Sequence, residues 1–272
     1  MRTTVEVERA GDRVRCVLRA GHVAPRVLEQ SDEGAVVALV ATGALLLGGD
    51  HVHVDVRVGE GVALELVETS GTVAYHGRGQ ASSWTAAVSV GRGARLVWDA
   101  LPFVVSDGAD VTRVTSLDVH DEGVALLRET LVLGRDGQRG GLLRTRTHAR
   151  HAGEDLLVEE LDLTGGHAAP GVLGPARVVD AVLLAGVRPA PATDGTDPGV
   201  VVLDLAGAGA LARAVGTAAH LADVGPVLTR WRAHAVADRR PPDRTSPHLT
   251  DDRPGPPTRT DDRSAPCTSP TT

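Results

Sequence analysis

The sequence predicts a mainly β protein, and two observations carry that reading. Apolar and polar residues alternate with period two through most of the first 165 positions, the pattern of strands with one buried face. Glycine-rich turns interrupt the alternation at roughly 8–12-residue spacing, as in an all-β architecture.

The elements follow in order. Residues 5–9 and 14–18 read as a hairpin around Gly11-Asp12. Residues 52–58, 62–67, 84–90, 94–98, 111–119, 124–133, 142–148 and 156–163 read as strands, with "GEG", "GRG" and "DEG" as turns between them. No fixed repeat period is visible in the residues. After Gly165, "AAPGVLGP" reads as a loop, and residues 178–187 and 200–205 as further strands. Residues 208–224, "AGALARAVGTAAHLADV", are rich in Ala and Leu and are expected to be helical, with a shorter helix over 227–236. Residues 1–236 are therefore expected to form a single β-rich domain. The tail from 237 to 272 holds half of the chain's 16 prolines and almost no large apolar residues. Such a segment cannot build a core and is expected to be disordered.

Composition excludes several functions. The chain has no Lys, Asn or Ile and one each of Phe, Tyr and Met, the residue usage of a GC-rich genome. With net charge −7 and no basic block, it lacks the footprint of a nucleic-acid binder. A phosphate-binding GxxxxGK[ST] loop is impossible without lysine, and neither HExxH nor GxSxG occurs. Gly207-Ala208-Gly209 lacks the third glycine of a dinucleotide turn, since Ala212 stands there. Cys16 and Cys267 form no CxxC pair or disulfide framework. The N-terminus carries charge throughout, unlike a signal peptide. The longest apolar run, residues 35–47, is too short to span a bilayer. A soluble cytoplasmic protein is expected, with no membrane or nucleic-acid partner.

The stretch "GGDHVHVDVRV" (48–58) places His51, His53, Asp55 and Arg57 on one strand face and four valines on the other. Two imidazoles alone make a weak, open metal site, so this is read as a solvated or partner-facing strand face. Asp50 falls by parity on the valine face. Glu129 shares its face with Leu127, Leu131 and Leu133, and Glu159 with Leu157, Leu161 and Leu163. Carboxylates on apolar faces must neutralise, pair or meet a cation. The structural alternative is an ion pair, with Arg135, Arg144 or Arg146 as candidate partners, or a bulge that turns the acid outward. The functional alternative is an internal path of oxygen ligands that holds a divalent cation loosely.

Four anchors, in order, carry a resemblance: Gly48-Gly49-Asp50, Thr72-x-x-Tyr75, the block Leu101-Pro102-Phe103, and Glu129 followed by Gly134-Arg135. Over about residues 10–235 the chain resembles the urease accessory protein D family, called H in some bacteria. That resemblance implies a mainly β fold of stacked sheets in a helical, solenoid-like arrangement with a few C-terminal helices. It implies a non-catalytic scaffold that binds the urease apoenzyme, the urease accessory F protein and, through F, the GTPase G protein. It implies no permanently bound cofactor, and Ni²⁺ in transit through an internal channel. By position, Asp50, Glu129 and Glu159 match metal-path residues and Thr72 a channel-lining one. The chain departs from the family at Val73, where Lys is common, at Gly140-Gly141, where Gly-Glu is common, and in its tail. Two other classes compete: a β-rich binding module with no metal role, and a hydrolase using Glu129 and Glu159 as acid and base, which needs a surface cleft.

Overall fold

A computed structural model describes residues 2–167, 170–190 and 198–236; the tail expected to be disordered lies outside them. The described residues belong to one compact unit, residues 1–237. It begins with two hairpins, Arg2–Ala10 (β1) with Arg13–Arg19 (β2), and Val23–Gln30 (β3) with Gly34–Ala41 (β4). The chain then winds in coils. The first is His51–Val58 (β5), Ala63–Glu68 (β6) and Thr72–Ala74 (β7); the second is Ser82–Val90 (β8), Arg95–Asp99 (β9) and Phe103–Val105 (β10). In the third, Asp110–Val119 (β11) is followed by Val124–Leu133 (β12), which is long enough to form two sides of the coil. Leu142–His151 (β13) and Glu154–Thr164 (β14) make a hairpin. Val178–Ala185 (β15), Val200–Asp204 (β16) and Gly209–Gly216 (β17) complete the strands.

Corresponding strands of successive coils stack in parallel. One sheet runs β14-β13-β11-β8-β5-β1-β2 and the other β16-β17-β15-β12-β9-β6-β4-β3. β7, β10 and the end of β12 stack as a third side, with Thr72 opposite Phe103 and Phe103 opposite Leu131. This is the mainly β fold expected from strand periodicity, in the solenoid-like stacking that the family resemblance implies, with one C-terminal α-helix rather than a few among the described residues. A repeat that the residues did not display is present in the backbone. In the first sheet His51, Ser83, Thr112 and Arg144 are successive partners, 32, 29 and 32 residues apart. The corners stack as well. Gly61 and Gly93 adopt φ of 62°, and Glu122 takes the equivalent place in the third coil at φ 60°. Gly61 N–H donates to the Arg92 carbonyl and Gly93 N–H to the Asp121 carbonyl. The period is set by this left-handed corner, which any residue can adopt at some cost, so it leaves no strict residue signature.

Alternation decides what each sheet buries. Val52, Val54, Val56 and Val58 of β5, with Trp84, Ala86, Val88 and Val90 of β8, face Leu64 and Leu66 of β6 and Leu96 and Trp98 of β9 in the main core between the sheets. The other face of the second sheet is also covered. Leu126, Val178, Val182, Leu184 and Ala212 pack there against Val227, Leu228 and Trp231 of the helix Gly225–Val236 (α1).

One expected element is overturned. Residues 208–224 are not a helix: β17 spans Gly209–Gly216, and a 3-10 turn covers Ala219–Leu221. Ala210, Ala212 and Ala214 are small because they lie beneath α1 in the second core. Tertiary packing has overridden their helix propensity. The shorter helix expected over 227–236 is present as α1 and is the one α-helix among the described residues. No helix there is long and apolar enough to cross a membrane.

Candidate functional site: a cavity between the sheets

Strand parity places Glu129 and Glu159 correctly. Glu129 comes from β12 in one sheet and Glu159 from β14 in the other, and both line one partly open cavity of about 60 Å³ between the sheets, their side chains 26% and 23% exposed. That is room for a few waters. Arg113 of β11 and Arg213 of β17 line the same cavity, with Thr115, Thr147 and apolar side chains around them.

Each carboxylate is paired there. Arg113 Nε donates to Glu129 Oε1. The Arg113 guanidinium also lies 4.8 Å from the centre of the Phe103 ring and 5.6 Å from that of Trp84, so ring faces and a carboxylate together offset its burial. Arg213 clamps Glu159 through two bonds, Nη1 to Oε1 at 2.8 Å and Nη2 to Oε2 at 2.6 Å, the bidentate geometry favoured by guanidinium and carboxylate. The partners are therefore not Arg135, Arg144 or Arg146. Arg144 and Arg146 instead pair on the outer face with Asp110 and Glu160. Arg113 carried a readable signal, because it shares its face with Val111, Leu117 and Val119. Arg213 carries no such signal, because the alanine-rich composition around it favours helix.

A further interior acid, Glu68, follows Leu64 and Leu66 on the same face of β6, and the same parity argument could have found it. Its carboxylate accepts from Trp98 Nε1 at 3.1 Å and from Leu101 N–H at 3.0 Å. Burial pushes the Glu68 carboxyl above the usual range, and the Arg113 charge and these two bonds partly oppose the rise.

Asp50 is a correction. It is not on the valine face of a strand. It ends the turn before β5, and its Oδ2 accepts from Leu47 N–H at 3.0 Å. Gly49 in that turn has φ 86°, and a Cβ on Gly48 would sit 2.3 Å from the Gly77 carbonyl oxygen. Parity fails at Asp50 because this local bond, a habit of Asp beside turns, replaces the strand. Thr72 is buried on β7, and neither it nor Asp50 lines the cavity of Glu129 and Glu159.

The 51–57 face is as expected. Val52, Val54, Val56 and Val58 are buried; His51 is exposed and lies 2.8 Å from the Ser83 hydroxyl. His53 lies 2.9 Å from Asp55, which also pairs with Arg2. Among the described residues no group of three or more His, Cys, Asp or Glu side chains could hold a metal ion. The double variant His51→Ala, His53→Ala should keep at least about half of urease activation, since polar contacts on a partly solvated strand face contribute little. Near-complete loss in a folded variant would overturn this.

The four motif anchors meet largely on the third side of the coil. Thr72 and Phe103 pair across β7 and β10, and the Arg135 guanidinium lies 5.0 Å from the centre of the Tyr75 ring. The family model described as UreD urease accessory protein matches residues 2–245. The chain belongs to the UreD family. The urease accessory protein UreD 1 of Streptomyces griseus is 44% identical over 237 residues, covering 85% of this chain and 91% of that protein. UreD 1 of Saccharopolyspora erythraea is 37% identical over 70% of this chain and 76% of its own length. UreD of Streptomyces coelicolor is 34% identical over 72% and 80%. Membership in the UreD family assigns the chain a role in urease maturation.

Proposed function

We propose that this protein is a non-catalytic cytoplasmic scaffold of urease maturation. It binds the urease apoenzyme and the accessory F protein, reaches the GTPase G protein through F, and conducts Ni²⁺ along its interior to the urease active site. It holds no resident cofactor; nickel is its cargo. The observation that supports the path is that Glu129 and Glu159, from opposite sheets, face one partly open cavity between them. Carboxylate and water oxygens bind a divalent cation more loosely than a thiolate or imidazole set, which suits transfer over storage. Asp50 and Thr72 join the reading as oxygen-bearing residues away from this cavity.

The test is the isosteric pair Glu129→Gln with Glu159→Gln. The variant should still co-purify with urease and the F and G proteins. The urease it matures should contain less than about half the normal nickel, because both anionic ligands are gone while side-chain volume is kept. Unchanged nickel content would show that the metal travels elsewhere. Failure of the complex to assemble would show that the two acids serve structure. Asp50→Asn, tested alone, should act through its turn and change nickel content less.

A further inference from the structure

Resting on that reading, we infer that Arg113 and Arg213 are internal counter-cations that occupy the cation positions beside Glu129 and Glu159, so that a divalent metal enters the cavity only by displacing a guanidinium. Charge and geometry argue for it. A carboxylate clamped by a guanidinium is close to neutral as seen by an approaching ion, so the paired cavity draws in no cation. A divalent ion at either carboxylate would also stand within a few ångströms of an arginine. The two positive groups cannot share the same oxygens.

The surroundings allow each arginine to yield. Arg113 rests against the faces of Phe103 and Trp84, which hold a cation without a carboxylate. The Arg113 charge also acts on the Glu68 carboxyl. Arg213 is engaged through its two terminal nitrogens alone. Its Nε is buried without a hydrogen-bond partner, an unmet donor that makes this clamp less than fully satisfied. Arg213 also joins the two sheets, reaching from β17 to β14, so releasing it opens the cavity where the last strands of the sheets face each other. The arginines are positioning residues: they set when the carboxylates are available, and the carboxylates bind.

The test uses the purified, tag-free full chain and Ni²⁺ alone, followed by titration calorimetry. Arg213→Gln should raise the affinity for Ni²⁺ at least about tenfold over the unsubstituted protein, because it frees both oxygens of Glu159 and removes a positive charge beside them. In the double variant Arg213→Gln, Glu159→Gln the rise should vanish. Arg144→Gln, which frees an outer-face carboxylate, should give no comparable rise. Arg213→Lys keeps the charge but not the two-pronged clamp, and should fall between the two; it carries the test if the Gln variant does not fold. An Arg213→Gln affinity equal to that of the unsubstituted protein overturns the inference, as does a rise that survives loss of Glu159. The two readings fail separately. If the nickel path is wrong, Glu129→Gln with Glu159→Gln matures urease normally whatever Arg213→Gln does. If the counter-cation inference is wrong, that pair still lowers the nickel content while Arg213→Gln leaves the affinity unmoved.

Discussion

Asp180→Ala is expected to lower stability by about 3–5 kcal/mol, the cost of removing one member of a buried ion pair. In a protein of this size that is a fall in melting temperature of roughly 6–20 °C. Asp180 is fully buried on β15, on the face that packs against α1. Arg128 Nε and Nη2 donate to its two oxygens at 3.1 and 2.8 Å, the Thr130 hydroxyl donates at 2.7 Å, and Val224 N–H donates at 3.0 Å. One carboxylate thus ties β12 and β15 to the start of α1. Alanine strands four donor groups on three residues. Arg128 keeps weaker partners in Asp223 at 3.3 Å and Asp99 at 3.6 Å, but neither reaches Thr130 or the Val224 amide in the same way. Urea unfolding is the measurement. A loss under about 1 kcal/mol would mean the pair had been carrying its own desolvation cost and little else.

Trp231→Ala is expected to cost about 3–5 kcal/mol, the range for emptying a large aromatic site. Trp231 is 5% exposed and is the largest side chain of the second core, where it meets Val227, Leu228 and the outer face of the second sheet. The helix is also tied at its start through the Val224 amide to Asp180. The Arg232 guanidinium pairs with Glu65 of β6, but both side chains are about one-third exposed, so that pair adds little. Hydrogen exchange should show the loss concentrated in α1, β15 and β17, while amides of β5 and β8, whose core lies between the sheets, stay protected. Uniform loss of protection would show that the two cores unfold as one.

Much of the fold and part of the site were legible because strand parity is a strong local rule. It identified the buried valines of β5 and the interior acids Glu129 and Glu159, and applied further it reaches Glu68, Arg113 and Asp180, which also share faces with apolar residues. It failed where the chain is not extended. At Asp50 a side-chain bond to Leu47 N–H forms a turn. At residues 209–216 the alanine-rich composition favours helix and conceals Arg213 on a strand.

Local pattern alone established that the chain is mainly β, which side is buried in strands such as β5 and β12, and that Glu129 and Glu159 must neutralise, pair or meet a cation. Those properties depend on two-residue periodicity and on the cost of burying charge, both set within a few residues. The tertiary structure alone decided which cation each acid meets. Glu129 and Arg113 are 16 residues apart, and Glu159 and Arg213 are 54 apart. They are joined because coils of 29 and 32 residues stack β11 and β12 in facing sheets and bring β17 across from β14. Spacing along the chain does not encode that stacking. It follows from how the left-handed corners and two buried faces close the coil in space.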